Sequence, residues 1–277
     1  MSHLEFQFKI TPLKPWTEIL IAYLSEIDFH GFYEEDGILK AFISSTDFDE
    51  LIFSSVLGSL EGEDLEISYE KLEIENRNWN ASWEANFDPV EIAQQLYIRA
   101  PFHEQRENFN STIVIQPKMS FGTGHHQTTF LMCEAILRLD LVDKKVLDMG
   151  TGTGVLAILS EKKGAKDITA IDIEEWSIEN CEENIVLNEC AFIDTICGDV
   201  NLIDGKKFDV ILANINKNIL KKHLPKYFDS LYENGLLYLS GFFSTDVSEL
   251  KTLANQVGFK FTSTTVKDEW AILILQK

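Results

Sequence analysis

Val146–Ile158 reads VLDMGTGTGVLAI. A short apolar run ends at Asp148, three glycines alternate with two threonines, and apolar residues resume at helical length. That pattern predicts a buried strand, a tight turn and a helix opening near Gly154. In open α/β sheets ligands lie at the carboxyl ends of strands, so this turn faces the expected crevice. Gly150, Gly152 and Gly154 let backbone approach a ligand with no Cβ in the way. The helix start behind them is expected to offer free N–H groups and a positive dipole to a carboxylate or phosphate.

Outward from this stretch, strands and helices alternate from about Gln95 to the end of the chain. Apolar runs at QLYIRA, TIVIQP, KVLDMG, DITAIDI, IDTICGD, FDVILANI and LLYLSGF read as strands, and the intervening segments carry helical spacing. A helix is expected across KNILKKHLPKYFDSLYENG. This alternation argues a parallel sheet covered on both faces. FKFTSTTV and WAILILQK are joined only by KDE, so they are expected to close the sheet as an antiparallel hairpin. Residues 1–75 behave differently. LEFQFKI alternates, PWTEILIAYLSEI is helical after Pro15, GFYEEDGILKAFISS reads as a hairpin turning at Glu35-Asp36-Gly37, and TDFDELIFSSVLG reads as a helix capped by Thr46 or Asp47. With EDLEISYEKLEIE the order is β-α-β-β-α-β, a ferredoxin-like module. Residues 76–92 are polar and rich in Asn and Trp and read as a linker, with Trp79 and Trp83 on one face of a short helix. The expected domains are 1–75, the linker 76–92, and 93–277.

The charge is uneven. The whole chain carries a net −21, and residues 1–75 hold 17 acidic against 4 basic side chains. Such a surface repels a phosphate backbone and favours a cationic partner, which disfavours nucleic acid as the direct ligand. No apolar run reaches the roughly 18 residues of a membrane span. The N-terminus has no secretory pattern, and the four cysteines fit no zinc or disulfide template, so a cytoplasmic protein with reduced thiols is expected.

Two cofactor classes fit the glycine turn. Gly152, Gly154 and Ala157 satisfy the dinucleotide pattern G-x-G-x-x-A, whereas Asp148 leading the glycines matches the first motif of S-adenosylmethionine-dependent methyltransferases. A carboxylate there opposes a pyrophosphate and suits the cationic methionine end. Asp172, ending the next strand, is placed to accept from ribose hydroxyls, and Asp199, ending a third, from an adenine amino group. Asn214 ends the fourth strand, where its carbonyl can accept from an amine N–H. Ile215 and Asn216 follow with no aromatic platform for a nucleobase, so an alkyl amine is the better acceptor.

A second glycine loop precedes the core: SFGTGHHQTT, Ser120–Thr129. Gly122 and Gly124 permit close approach, and Thr128 and Thr129 fall in the first turn of a helix. This loop is expected to cover the cofactor opposite the first, with Phe121, Gly122, Thr123 and Thr129 among its contacts. Adjacent His125 and His126 point in different directions and lack further ligands, so no metal is expected. His125, His126 or a water are the candidates for a base.

With these segments together, the chain resembles the bacterial ribosomal protein L-eleven methyltransferases (PrmA) over essentially its whole length. The Phe121–Thr129 loop, the Asp148–Gly154 turn, the AIDI acid Asp172 and the LANI segment ending in Asn214 carry the resemblance. It departs at His125, Gln127 and Asn216, where the family usually has Thr, Pro and Leu. The resemblance implies a Rossmann-like class I methyltransferase domain behind a small substrate-gripping domain that swings on its linker. It also implies methyl transfer from S-adenosylmethionine to lysine and N-terminal amino groups of ribosomal protein L-eleven. The implied cofactor contacts are Thr129, Gly150, Asp172 and Asn214. A monomer is the expected state. Two other readings remain: a nicotinamide-dependent oxidoreductase, and a non-catalytic ribosome-assembly factor.

Overall fold

The computed structural model describes residues 3–35, 37–60, 65–74 and 87–277. They fall into two compact units, Met1–Phe87 and Asp88–Lys277. In the first, β1 (His3–Thr11), α1 (Trp16–Ser25), β2 (His30–Glu35), β3 (Ile38–Ser44), α2 (Glu50–Ser59) and β4 (Glu66–Ile74) follow in order. The sheet order is β2-β3-β1-β4, with every neighbouring pair antiparallel. Strict alternation along β1 buries Leu4, Phe6, Phe8 and Ile10, and α1 and α2 add Leu20, Leu24 and Phe53 to that face. The Phe6 and Phe53 rings sit 4.8 Å apart. Helix α2 starts later than expected, because Asp49 rather than Thr46 or Asp47 accepts the N–H groups of Leu51 and Ile52. Asp36 at the expected hairpin turn lies outside the described residues, as do residues 76–86 with Trp79 and Trp83.

The second unit begins with a correction. Residues 90–92 are not linker: β5 (Val90–Ile92) pairs antiparallel with β6 (Leu96–Arg99), which pairs parallel with β7 (Ser111–Val114). Nor do β6 and β7 join the main sheet. The three strands form a small sheet of their own, and Ile92, Leu96, Ile98 and Ile113 bury its apolar face in the core of the unit.

Then come α3 (Gln127–Leu137), β8 (Lys145–Met149), α4 (Val155–Lys162), β9 (Asp167–Asp172), α5 (Glu175–Leu187) and β10 (Ile193–Cys197). A 3₁₀ turn (Val200–Ile203) leads to β11 (Phe208–Asn214), α6 (Lys217–Ser230), β12 (Leu231–Phe243), α7 (Val247–Val257), β13 (Lys260–Lys267) and β14 (Trp270–Gln276). The seven strands run β10-β9-β8-β11-β12-β14-β13. The first five are parallel, and β14 lies antiparallel between β12 and β13. Asp268 and Glu269, both with φ positive, make the tight turn between the last two strands. Helix α6 ends at Ser230, earlier than its spacing suggests, because Leu231 is captured opposite Phe208 and starts the strand there.

Strand order reverses between β8 and β11, which opens a crevice at their carboxyl ends. Alternation decides what faces it from each side. Val146 and Asp148 on β8, and Val210 and Leu212 on β11, point to the face covered by α3 and α4. Leu147, Met149, Ile211 and Ala213 point to the face covered by α6 and α7. Asn214 and Asp172 therefore end their strands on the α3–α4 face.

Candidate active site

A cavity of about 310 Å³ opens at the strand ends. Gly150, Gly152 and Phe121 line it, with Asp172 and Asn214 from the ends of β9 and β11, and Asp199 from two residues past β10, where it caps the 3₁₀ turn rather than ending the strand. Six residues singled out by their sequence context are thus brought together. Thr129 stands just behind, buried, with its hydroxyl 3.5 Å from the Asn214 amide nitrogen. Gly122, Thr123, Gly154 and His125 do not line the cavity.

The two glycine loops are bonded to each other. Thr153 N–H donates to the Phe121 carbonyl at 2.9 Å, and the Thr153 hydroxyl donates to the Gly122 carbonyl at 2.7 Å. Only glycine fits at 152, where φ is +54° and a Cβ would stand 2.2 Å from the Phe121 carbonyl oxygen. Gly150, at φ +75°, gives the same clearance to the Ile215 side chain. Gly154 serves packing, since a Cβ there would strike Cys181 Sγ.

One expectation narrows for a clear reason. Within the glycine turn the N–H groups are taken up inside the chain, with Gly150 and Thr151 donating to the Ile171 carbonyl, Gly152 to Asp172 and Gly154 to Thr151. Ala157 in the helix donates to Asp148, so any N–H left for a ligand comes from the first helical residues, Val155 and Leu156. Asp148 is not a lining residue. It is fully buried, its Oδ2 accepts from the Thr151 hydroxyl and Ala157 N–H, and burial pushes its carboxyl up to about 7. It braces the turn from beneath. Asp172, by contrast, faces the cavity, with Oδ2 accepting from Gly152 N–H and Oδ1 from Glu174 N–H. Asp172, Glu174 and Asp199 give the lining three carboxylates, with no lysine or arginine beside them.

His125 is turned outward. Its Nε2 lies 2.8 Å from the Asp88 carbonyl, so that nitrogen donates and Nδ1 accepts from the Thr123 hydroxyl. His126 is the N-cap of α3, with Nδ1 accepting from the N–H and hydroxyl of Thr128. Burial holds its ring below the ordinary imidazole range. The ring edge packs on Phe121 and on Trp270, 4.6 Å away, and Trp270 packs in turn on Phe243. Trp270, from the turn end of β14, carried no signal beyond its place in a strand. Among the described residues, no group of three His, Cys, Asp or Glu side chains is gathered to hold a metal ion.

The Asn214 Oδ1 atom is buried and accepts no hydrogen bond from the protein, while its amide nitrogen faces Thr129. An orphaned acceptor at the mouth of a strand-end cavity asks for a donor from outside the chain.

The family model described as ribosomal protein L11 methyltransferase (PrmA) matches residues 24–277. The chain belongs to that family. The ribosomal protein L11 methyltransferase of Phocaeicola vulgatus is 39% identical over 98% of each chain. That of Chlorobaculum tepidum is 35% identical over 99% of this chain and 96% of its own. The crystal structure of ribosomal protein L11 methylase from Lactobacillus delbrueckii subsp. bulgaricus superposes with a TM-score of 0.63 at 28% identity. It covers 68% of this chain and 98% of its own. Membership makes this chain a methyltransferase of α/β fold. None of its described helices is long and apolar enough to cross a membrane.

Proposed function

We propose that the protein transfers methyl groups from S-adenosylmethionine to lysine and N-terminal amino groups of ribosomal protein L11. The relatives' names supply the substrate, and the unpartnered Asn214 Oδ1 carries the chemical reading. S-adenosylmethionine supplies, when bound, a sulfonium-borne methyl group open to attack by a neutral amine.

The residues fit that cofactor better than a dinucleotide. Three lining carboxylates suit a cationic ligand with ribose hydroxyls and an amino group and repel a pyrophosphate, and the glycine turn spends its own N–H groups inside the chain. In this reading Asp172 takes the ribose hydroxyls and Asp199 the base amino group. Gly150 and Gly152 lie under the methionine end, and Phe121, with Gly122, Thr123 and Thr129 behind it, closes the site.

Asn214 orients the acceptor. Thr129 fixes its amide so that Oδ1 accepts an amine N–H, which aims the nitrogen lone pair along the transfer direction. Such positioning supplies roughly 7–11 kcal/mol of a barrier. The half-exposed rings of Phe121 and Phe243, with Trp270 between Phe243 and His126, form an apolar flank for an aliphatic stem. A free lysine titrates near 10.4, and desolvation on such a flank favours its neutral form. No histidine is read as a dedicated base, since His125 has both ring nitrogens engaged and His126 spends Nδ1 on Thr128.

The first unit is read as a ferredoxin-like recognition module, its acidic surface suited to a basic ribosomal protein. Incubation with methyl-labelled S-adenosylmethionine and undermethylated ribosomal proteins tests all of this, with labelled residues located by mass spectrometry. Label on amino groups of L11 is expected. Label elsewhere overturns the substrate, and cofactor binding without label favours an assembly factor.

A further inference from the structure

The lining of the cavity includes a group that neither the motifs nor the reading above uses. His223 lies on α6, one turn after Ile219, and lines the cavity with Asp199 and Val200. It is half-buried, and its Nδ1 is 3.2 Å from the hydroxyl of Tyr227, one turn further on. Tyr227 is fully buried, and burial pushes its phenol far above the ordinary range, so the hydroxyl keeps its proton. With Nδ1 its hydrogen-bond partner, that proton is donated there. The tautomer follows: Nδ1 accepts, and Nε2 carries the imidazole hydrogen. Burial holds the ring below its ordinary range despite the opposing pull of Asp199, so it is neutral at pH 7.

The helix and the Asp199 turn are tied together at this point. Asn201 N–H and side-chain amide donate to the two Asp199 oxygens at 2.9 and 2.8 Å. Lys226, three residues after His223 on the same helix face, donates to the Asn201 side-chain oxygen at 2.5 Å and to Asp204 at 2.8 Å. An acceptor carboxylate and a fixed N–H donor are therefore held at one end of a cavity that is otherwise apolar there.

We infer that His223 is a binding residue for the purine base, donating from Nε2 to a ring nitrogen while Asp199 accepts from the exocyclic amine, with Tyr227 as its positioning residue. This rests on the cofactor reading above. An aminopurine presents such an edge, with an amine hydrogen beside a bare ring nitrogen. A base carrying a carbonyl in place of the amine offers Asp199 an acceptor against an acceptor and is rejected.

The test is calorimetric binding of S-adenosylhomocysteine, and of its 1-deaza, 3-deaza and 7-deaza analogues, to the full chain and to His223→Leu, His223→Asn and Tyr227→Phe. Thermal unfolding without ligand checks that each variant is folded. Loss of one hydrogen bond corresponds to a roughly 3- to 10-fold weaker S-adenosylhomocysteine affinity for His223→Leu. The unsubstituted protein should discriminate against one analogue that His223→Leu binds as well as the parent. His223→Asn, a shorter donor, should fall between them, and Tyr227→Phe should weaken that same discrimination by freeing the tautomer. Equal affinity of His223→Leu and the unsubstituted protein for S-adenosylhomocysteine overturns the inference. So does an affinity loss of the same factor for every analogue, which marks a packing role. If the unsubstituted protein binds no S-adenosylhomocysteine, the cofactor reading falls first and this inference with it.

Discussion

Two side chains at the end of neighbouring strands have opposite assignments, and each can be tested alone. Asn214 is half-buried with an orphaned oxygen, which the proposed function assigns to the acceptor amine. Asn214→Ala should lower kcat by roughly 100-fold, as removal of a single preorganised polar group does, while S-adenosylhomocysteine affinity stays within about 3-fold. Unchanged turnover would remove Asn214 from the mechanism. Asp148 is fully buried, with only Oδ2 bonded, and its carboxyl titrates near 7 in the fold. Unfolded, such a group titrates near 3.9. Between those values the native chain holds a proton that the unfolded chain has released. The stability linked to that proton is full below about pH 4 and is lost as pH rises through about 7. Asp148→Asn mimics the protonated acid, keeps an acceptor for Thr151 and Ala157, and should remove this dependence. We expect similar urea midpoints for the two proteins at pH 5 and a more stable variant at pH 8. Parallel profiles across that range would show that Asp148 is charged in the fold throughout.

Among the elements, α5 does more than its sequence suggests. Asn184 and Asn188 are four apart on that helix and act toward the small sheet as a strand edge would. Asn184 accepts from Gln116 N–H at 2.7 Å and donates to the Thr153 carbonyl at 2.8 Å, while Asn188 accepts from Val114 N–H and donates to the Val114 carbonyl. One amide thus joins the segment after β7 to the glycine turn. Asn184→Ala leaves the buried Thr153 carbonyl and the half-buried Gln116 N–H unpaired and should cost about 2–4 kcal/mol in equilibrium denaturation. It should also weaken cofactor affinity, because Thr153 holds the covering loop. A loss below 1 kcal/mol, together with intact affinity, would show that the turn holds without it. These bonds explain what the sequence could and could not tell. The Asp148–Gly154 turn, the strand-end acids and Asn214 are legible because each is set by neighbours within a few residues and by the period of its strand. Asn184 reads only as one more polar residue on a helix, since its partners lie 68 and 31 residues away in sequence. The small sheet is hidden for the same reason: four-residue strands such as LYIR and STIV carry no mark of the sheet that they join. Leu231 starts a strand where helical spacing continues, because Phe208 captures it across the sheet. His126 and Trp270 meet through the closing hairpin, which no local pattern specifies.

For the molecule as a whole, the proposed function assigns capture of the acceptor to charge and its methylation to the cavity. Of the net −21, residues 1–75 carry −13, with 17 acids against 4 bases, and the remaining residues carry −8. The acids of the first unit are spread over it, and its described ion pairs are Lys40–Glu35 and Lys71–Glu50, both between partly exposed groups. Exposed pairs of this kind contribute at most about 1 kcal/mol each and neutralise little of the field. If the first unit captures a basic protein acceptor as proposed, it does so by long-range attraction, which acts on association and is screened within about 10 Å at 0.1 M salt. In the proposed reading the methyl donor has no comparable reach, because it is small and its assigned contacts, Asp172 and Asp199, line the cavity itself. Raising salt from 50 to 500 mM should thus raise KM for the protein acceptor by roughly 10-fold or more through slower association. KM for S-adenosylmethionine and kcat at saturating acceptor should move by less than about 2-fold. A short peptide bearing a single target lysine should show a much shallower salt dependence, since it meets less of the acidic surface. If protein and peptide acceptors respond to salt alike, the acidic first unit takes no part in capture, and acceptor recognition belongs to the catalytic unit alone.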